Sequence, residues 1–372
     1  MVEWKKLGEI ANITIGEFVH RDKQNPKAKY PVYNGGTTYT GFYEYYNNTG
    51  NKIVISARGY AGFVNRVFDN YWAGNSSYSI DINNSKVLWH FVYYYLKNEQ
   101  YNIMSMQQKG GGLAAISKKQ VQELLIPIPS LSEQQRIVSI LDTFTSSISN
   151  LKQQIEERRK QYEYERDLLL DLEGKEGVEM KKLGEVVSSD CSLSYGIVQP
   201  GDDVIDGVPV VRPVDLISNY VKLDGLKKTE RQISESYKRT ILKGNEILFC
   251  VRGTTGIMGL ATNELKGCNV TRGIVPISFD DELTKMFVYY QLKGFRLQKV
   301  IDEKTNGTAL KQINIKDLRL LNLFFPPLST QSRIVSILDT FEQSIANLEE
   351  QLAMREKQYE YYREKLLRFE EA

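Results

Sequence analysis

The chain has 372 residues, of which 41% are hydrophobic and 25% are charged, a composition typical of globular proteins with two or three domains. Its N-terminus lacks the apolar stretch of a signal peptide, and no run approaches the roughly 18 apolar residues of a membrane span, so we expect a cytoplasmic protein with no membrane partner. Three cysteines without close spacing and only two histidines argue against a disulfide framework, a zinc ribbon and histidine-based hydrolysis.

The net charge of +2 is small, but its distribution along the chain is informative. Residues 1–130 carry 14 Lys and Arg against 9 Asp and Glu, and residues 177–325 carry 21 against 18. The segments that follow each of them are acidic. Because the charge alternates twice, the sequence predicts an internal repeat.

Two stretches of sequence confirm the repeat. Residues 3–9 recur at 179–185 with one difference, Trp4 for Met180, and residues 136–144 recur unchanged at 333–341. Each half is therefore a variable segment followed by a near-identical segment of about 45 residues. We predict four domains with the bounds 1–130, 131–177, 178–327 and 328–372.

The variable segments combine strand and helix signals. Residues 52–56 and 246–250 are short β-branched or aromatic runs, each followed by a glycine turn, and we predict strands there. Residues 87–96 and 284–292 have helical patterns. Both variable segments are therefore predicted to be mixed α/β domains.

The near-identical segments predict long helices with a coiled-coil seam. Apolar residues recur at alternating spacings of four and three over about five heptads, and charged residues fill the positions between them. Because neither helix can bury such a stripe alone, we expect each to pack against the other copy in the same chain. The predicted seam residues are Ile137, Leu141, Phe144, Ile148, Leu151 and Ile155 in the first copy, and Ile334, Leu338, Phe341, Ile345, Leu348 and Leu352 in the second.

The seam pattern also includes two matching arginines, Arg158 and Arg355. A charge at such a position costs stability unless it is paired. One interpretation is that both fix the register against acidic or tyrosine partners. The other is that both extend along the edge of the seam into water.

Enzyme motifs are nearly absent from the sequence. Neither a phosphate-binding loop nor a dinucleotide-binding glycine motif occurs. Residues 324–327 lack the leading amide and trailing ring of an amino-methyltransferase motif. The Glu-x-Lys pattern of a nuclease site occurs at 3–5, 179–181 and 264–266, but it often arises by chance, and the first two matches have no suitable upstream carboxylate. We therefore predict no catalytic residues and no metal site.

Polar and aromatic loops on two basic domains indicate DNA binding. Base edges are read by Arg, Lys, Asn, Gln, Ser and Thr, and phosphates are held by Arg, Lys, hydroxyls and backbone amides. A structural role explains any single candidate equally well, since Arg58 and Arg252 could simply form strand-end turns, so the prediction depends on the set. The candidates are Asn34, Thr37, Thr38, Tyr39, Arg58, Tyr60, Arg66, Asn75, Gln107, Lys109, Arg212, Arg252, Thr254, Thr255, Asn269, Arg272, Lys304 and Asn306.

Over essentially its whole length the chain resembles the specificity subunit of a type I restriction–modification system. A Pro-x-Pro or Pro-Pro segment followed by a glutamine and an isoleucine opens each long helix, although Thr330 and Ser332 replace the Glu and the second Gln of the first copy. The segments that carry the resemblance are 4–9, 112–116 and 126–137 in the first half, and 181–185, 307–313 and 326–334 in the second.

The resemblance implies an α+β fold in which two target-recognition domains are separated by two long antiparallel coiled-coil helices, with a pseudo-twofold repeat. It implies that each domain reads one half of a bipartite double-stranded DNA target, and that the helices act as a ruler. Two methyltransferase subunits would dock on the helices, and restriction and translocase subunits would complete the enzyme. S-adenosylmethionine, ATP and Mg would be bound by those partners, and no cofactor by this chain.

Two alternatives belong to other functional classes. The chain could be an adaptor whose coiled coil recruits unrelated partners, although the basic domains and the close repeat argue against this interpretation. It could also be a DNA methyltransferase or nuclease with degenerate motifs, which a methyl-transfer assay on the isolated chain would detect.

Overall fold

The structure, a computed structural model, describes residues 2–107, 114–305 and 311–370. It divides into two compact units, the first formed by residues 1–153 and 349–372 and the second by residues 154–348. Each unit contains one variable segment and parts of both long helices. Across the described residues, no helix combines the length and the apolar character needed to cross a membrane.

Short strands and helices precede each of two much longer helices. The strands are β1 (Glu3–Lys6), β2 (Ala11–Ile15), β3 (Tyr30–Tyr33), β4 (Gly41–Tyr43), β5 (Lys52–Ser56), β6 (Val64–Val67), β7 (Trp72–Ala73), β8 (Ser77–Ile82), β9 (Leu125–Ile128), β10 (Glu179–Lys182), β11 (Val208–Val211), β12 (Lys227–Thr229), β13 (Ile247–Cys250), β14 (Met258–Leu260), β15 (Asn269–Val270), β16 (Ile274–Ile277) and β17 (Asn322–Phe325). The helices are α1 (Leu7–Ile10), α2 (Trp89–Asn98), α3 (Gln100–Ser105), α4 (Lys118–Gln122), α5 (Leu131–Leu169), α6 (Leu183–Val186), α7 (Arg231–Ser236), α8 (Glu282–Lys293), α9 (Phe295–Glu303), α10 (Ile315–Arg319) and α11 (Leu328–Leu367).

The two variable segments share most of their sheet topology, although the described residues of the second unit have no strand that corresponds to β2. In the first unit a larger sheet has the order β2-β8-β5-β6 and a smaller sheet the order β4-β3-β7. In the second unit the corresponding orders are β16-β13-β14 and β12-β11-β15. Each smaller sheet joins an antiparallel pair to one parallel strand, β7 or β15. The repeat therefore extends to the fold of segments whose sequences have diverged.

A two-stranded sheet closes each variable domain. Strand β1 pairs antiparallel with β9, and β10 pairs with β17, so the first residues of each domain lie beside the residues that lead into its long helix. The repeated Leu-Gly-Glu stretch begins the short helix that follows each first strand, α1 or α6. Leu7 and Leu183 anchor these helices, since both are fully buried in the two cores. The Glu9 carboxylate accepts a hydrogen bond from the Lys6 amide at 3.2 Å, as Glu185 does from Lys182 at 2.9 Å.

The glutamine of the repeated proline segment is buried in both units. The Gln134 side-chain amide donates to the Pro129 carbonyl at 2.9 Å, and the Gln331 amide donates to the Pro326 carbonyl at 2.8 Å. The Gln134 side-chain oxygen also accepts from the Leu88 amide at 2.9 Å. This glutamine therefore fixes the entry of the chain into each long helix, which explains its place in both copies of the motif.

The long helices run antiparallel in both units. In the first unit Phe144 stacks on Tyr362 with ring centroids 5.3 Å apart, so an early part of α5 meets a late part of α11. In the second unit the Tyr162 hydroxyl donates to the Glu342 carboxylate at 3.0 Å, so a late part of α5 meets an early part of α11. This direction agrees with the antiparallel helix pair that the family resemblance implied.

All twelve predicted seam residues are buried or half-buried in the structure. The side chains of Ile137, Leu141, Ile155, Ile334 and Leu338 are among the most buried of them. Others lie against the domain cores, as Phe341 and Ile345 do in the second unit. The seam therefore packs against the variable domains as well as against the opposite helix.

The two seam arginines lie over aromatic rings. The Arg158 guanidinium is 5.9 Å from the centre of the Phe341 ring, and the Arg355 guanidinium is 5.6 Å from the centre of the Phe144 ring. Each guanidinium also donates to the glutamine three residues later, Gln161 at 3.4 Å or Gln358 at 3.2 Å. Among the described residues, the partners of both arginines are therefore phenylalanine and glutamine, and the interpretation with acidic or tyrosine partners was wrong. Each contact with a ring contributes about 0.5 to 1 kcal/mol and offsets part of the cost of placing a charge at the seam.

A tyrosine–aspartate hydrogen bond attaches each variable domain to its long helix. The Tyr94 hydroxyl on α2 donates to Asp142 on α5 at 2.5 Å, and the Tyr290 hydroxyl on α8 donates to Asp339 on α11 at 2.5 Å. Burial strongly raises the pKa of both tyrosines, so both hydroxyls keep the proton that they donate. Both aspartates lie in the unchanged repeat, which explains why this stretch is retained twice.

We expect Tyr94→Phe and Tyr290→Phe each to lower the free energy of unfolding by about 1 to 2 kcal/mol. Each variant loses a hydrogen bond to a charged group at a half-buried site. Tyr93→Phe is the matched control, because the Tyr93 hydroxyl has no hydrogen-bond partner within residues 2–107, 114–305 and 311–370. Urea unfolding midpoints of the four proteins check this, and equal midpoints for Tyr94→Phe and Tyr93→Phe would contradict it.

Candidate nucleic-acid interface

Three loops that are distant in sequence meet at one end of the sheets in the first unit. The Tyr60 amide donates to the Gly35 carbonyl at 3.0 Å, and the Ala57 amide donates to the Ser76 carbonyl at 2.7 Å. The Asn34 side-chain oxygen accepts from the Ser76 amide at 3.0 Å. Residues 34–40, 57–62 and 74–76 therefore form one surface, called here the first loop cluster.

Equivalent loops meet in the second unit. The Arg272 amide donates to the Ile197 carbonyl at 2.7 Å, and the Thr271 amide donates to the Val211 carbonyl at 2.9 Å. The Val251 amide donates to the Gly273 carbonyl at 2.8 Å. Residues 196–197, 211–213, 251–256 and 271–273 form the second loop cluster. Its strands β11, β13 and β15 correspond to β3, β5 and β7, so the two clusters occupy the same place in one repeated fold.

One loop has the same arginine and glycines in both clusters. Residues 58–62 and 252–256 share the pattern Arg-Gly-x-x-Gly. The glycines have φ of 75° and 88° in the first loop and 89° and 90° in the second, values that favour glycine. The second glycine amide donates to the carbonyl of Ser56 at 2.8 Å or of Cys250 at 2.9 Å, which closes the loop at the strand end.

Residues 58–62 and 252–256 are called here the Arg-Gly loops. The segment before α4 or α10 contacts each Arg-Gly loop from the other side. Arg58 forms an antiparallel bridge with Ala115, and Arg252 forms one with Gln312. The isoleucine that follows is buried in both units. The Ile116 amide donates to the Ala57 carbonyl, and the Ile313 amide donates to the Val251 carbonyl, both at 3.0 Å. Sequence reasoning missed Ala115 and Gln312 as neighbours of the loops, although the isoleucine that ends each of the segments 112–116 and 307–313 was a signal for them.

Most of the predicted DNA-contacting side chains lie in or near the two clusters, with different exposure. The exposed ones are Thr38, Tyr39, Arg58, Tyr60, Thr254 and Arg272. The half-buried ones are Asn34, Thr37, Asn75, Gln107, Arg212, Arg252, Thr255 and Lys304. Lys109 and Asn306 lie outside the described residues.

Several half-buried candidates also hold the loops in place. Both carboxylate oxygens of Asp215 accept from the Arg212 guanidinium, at 3.0 and 2.8 Å. The Gln107 side-chain amide donates to the Ala61 carbonyl at 2.7 Å, and the Thr255 hydroxyl donates to the Lys311 carbonyl at 3.2 Å.

The charge of Arg58 acts on a neighbouring tyrosine. Burial raises the pKa of Tyr78 in the first unit, and the positive charge of Arg58 opposes that rise.

Two candidates are explained by internal packing. Asn269 is fully buried, and its amide donates to the Ser234 hydroxyl at 3.0 Å while its oxygen accepts from the Thr240 hydroxyl at 2.7 Å. Arg66 pairs with Asp142 at 3.1 Å and lies over the Tyr93 ring at 5.0 Å, so it faces α5. We therefore leave Asn269 and Arg66 out of the candidate interface, because buried or paired groups have little surface to offer DNA.

Comparison with known proteins supports a DNA-binding role for this architecture. A family model described as the type I restriction modification DNA specificity domain matches residues 1–158 and 175–354. A putative type I restriction enzyme specificity subunit of Haemophilus influenzae is 28% identical, with 99% of this chain and 96% of that protein covered. The EcoBI specificity subunit of Escherichia coli is 25% identical over 72% of this chain, and the matched part spans 61% of that protein.

The fold is also similar to a solved structure. The crystal structure of the type I restriction–modification S subunit of M. genitalium has a TM-score of 0.70 to this chain at 18% identity, with 100% of this chain and 97% of that chain covered. These similarities favour neither the adaptor nor the degenerate enzyme. The chain belongs to the type I restriction–modification DNA specificity family.

Proposed function

We propose that this chain reads a bipartite DNA target for a cytoplasmic type I restriction–modification enzyme, with one half-site for each unit. The observation that carries the proposal is the pair of loop clusters, built twice on the same strands with different side chains. A repeated framework suits the repeated geometry of double-stranded DNA, and differing side chains suit two different half-sequences.

The exposed side chains of each cluster are of the kinds that contact nucleic acid. The first cluster presents Thr38, Tyr39 and Tyr60 beside Arg58. The second presents Thr254 and Arg272 beside Arg252. Hydroxyl and guanidinium groups bind base edges and phosphates, and the tyrosine rings add apolar contact with the sugars and bases.

We further propose that two methyltransferase subunits dock on the long helices. Tyr164 on α5 and Tyr361 on α11 occupy matching positions of the repeat and are 66% and 59% exposed. Large aromatic side chains left exposed at matching places in both helices suit two copies of one partner. Restriction and translocase subunits would complete the enzyme. S-adenosylmethionine, ATP and Mg would then act in those partners, and this chain would supply the DNA sequence preference.

Substitutions in one loop cluster should weaken the base preference in one half of the target. We expect Tyr60→Ala to relax only the half-site read by the first unit and Arg272→Ala only the other half, at about 1 to 3 kcal/mol of discrimination for each lost base contact. The measurement is methylation of a randomised duplex library by the assembled methyltransferase, followed by sequencing of the methylated fraction.

Lys86→Ala is the matched control for these two variants, because Lys86 is exposed and lies beyond the opposite end of β8 from Asn75. Its methylated consensus should equal that of the unmodified enzyme. Relaxation of both halves by either loop variant would show that the units do not read separate half-sites.

The helices should set the number of unread base pairs between the half-sites. Both α5 and α11 are continuous through the boundary between the units. Inserting seven residues into each helix, at positions 153–154 and 348–349, preserves the seam pattern and adds about 10 Å. We expect a gap longer by about three base pairs, at roughly 3.4 Å each, with both half-sequences unchanged. The same library assay checks this, and an altered half-sequence with the original gap would contradict it.

A further inference from the structure

The arginine shared by the two Arg-Gly loops is not required by the fold. The positive φ values explain both glycines of each loop. The residues between them differ, since Tyr60 and Ala61 correspond to Thr254 and Thr255. An arginine side chain has no role in closing the loop, because the closing hydrogen bonds are between backbone groups.

Both arginine side chains reach the surface of their loop clusters. Arg58 is exposed and Arg252 is half-exposed. In the part of the chain that the structure describes, neither guanidinium has a hydrogen-bond or ion-pair partner. By contrast, Arg66 pairs with Asp142 and Arg212 pairs with Asp215. Among residues 2–107, 114–305 and 311–370, both guanidinium groups are therefore unpaired at the same place in two diverged domains, and an anion outside the chain can pair with each of them.

The backbone that carries each arginine is held rigidly. Arg58 bridges Ala115 and Arg252 bridges Gln312, and a positive-φ glycine follows each arginine. A fixed backbone lowers the entropy cost of placing the planar guanidinium against a singly charged DNA phosphate, whose two unbridged oxygens can both accept hydrogen bonds from it. The geometry is thus the same in both units, while the residues around it differ.

We propose that Arg58 and Arg252 each bind a DNA phosphate, and that this contact is the part of recognition that the two half-sites share. This inference rests on the proposed function, because it assigns roles within the two loop clusters. The sugar–phosphate backbone is the same in every half-site, so a contact to it can be kept in both units. The bases differ, so the side chains that read them must differ, as Tyr60 and Thr254 do and as Asn75 and Arg272 do.

The test is the salt dependence of DNA binding by the assembled methyltransferase. Arg58→Ala and Arg252→Ala should each weaken binding by roughly three- to tenfold near physiological salt, equally on a target duplex and on an unrelated duplex. The slope of log affinity against log salt should become shallower by about 0.9 for each arginine removed. The methylated consensus from the randomised library should not change.

Matched controls separate a phosphate contact from a general effect of charge. Lys86→Ala and Lys266→Ala remove one exposed positive charge each, and Lys266 lies in the turn beside the residues that precede β13, away from Arg252. Both should keep the original slope. Arg58→Lys should also keep it, because lysine retains the charge. Thermal unfolding of each variant verifies that the fold is intact.

The remaining outcomes test the phosphate assignment and the proposed function separately. If Arg58→Ala removes a base preference in one half of the consensus, the arginine reads a base and the phosphate assignment is wrong, while the proposed function stands. If slope and affinity do not change but Tyr60→Ala and Arg272→Ala still relax their half-sites, the assignment is also wrong and the function stands. If no variant in either cluster changes affinity or consensus, the loop clusters are not the DNA interface, and the proposed function fails with them.

Discussion

The attachment of each variable domain to a long helix is the constraint on which the other features depend. Three features define it in both units: the pairing of the first strand with the strand before the helix, the tyrosine–aspartate hydrogen bond, and a buried glutamine that fixes the chain where the helix begins. All three use residues from the repeated segments or from the helix that packs directly on them. Because the attachment is fixed there, the remainder of each domain is free to change its surface.

That freedom is visible in the loop clusters. Their strands follow the same order in both units, and backbone hydrogen bonds join the loops at equivalent places. The side chains on this framework differ at most positions, whereas the Arg-Gly loop is shared. A constant framework with changing side chains suits a protein whose two domains face chemically similar DNA backbones but different base sequences.

The sequence predicted the long helices well because the signal for them is local and repeated over many turns. Their direction came from the family resemblance. The contacts of Arg158 and Arg355 with the Phe341 and Phe144 rings were not foreseen, because they depend on how two distant segments align. The smaller sheets were also beyond sequence reasoning. The parallel pairing of Val32 with Trp72, for example, depends on contacts across forty residues that carry no local pattern.

Individual site residues were the least predictable feature. Asn269 and Arg66 have the same chemistry as candidates that lie in the loop clusters, but tertiary packing buries the first and pairs the second with α5. Exposure, rather than residue type, separates Arg58 from Arg66, and exposure is a property of the assembled domain. The repeat itself was the better guide, because Arg58 and Arg252 correspond in sequence as well as in structure.

The central claim is that this chain gives a methyltransferase a bipartite DNA target. The most direct measurement is single-molecule methylome sequencing of the source strain with and without the gene, with the methyltransferase subunit expressed in both. We predict that one split motif, with a fixed gap of unread bases, loses its methylation when the gene is absent. An unchanged methylome, or the loss of a single uninterrupted motif, would contradict the account.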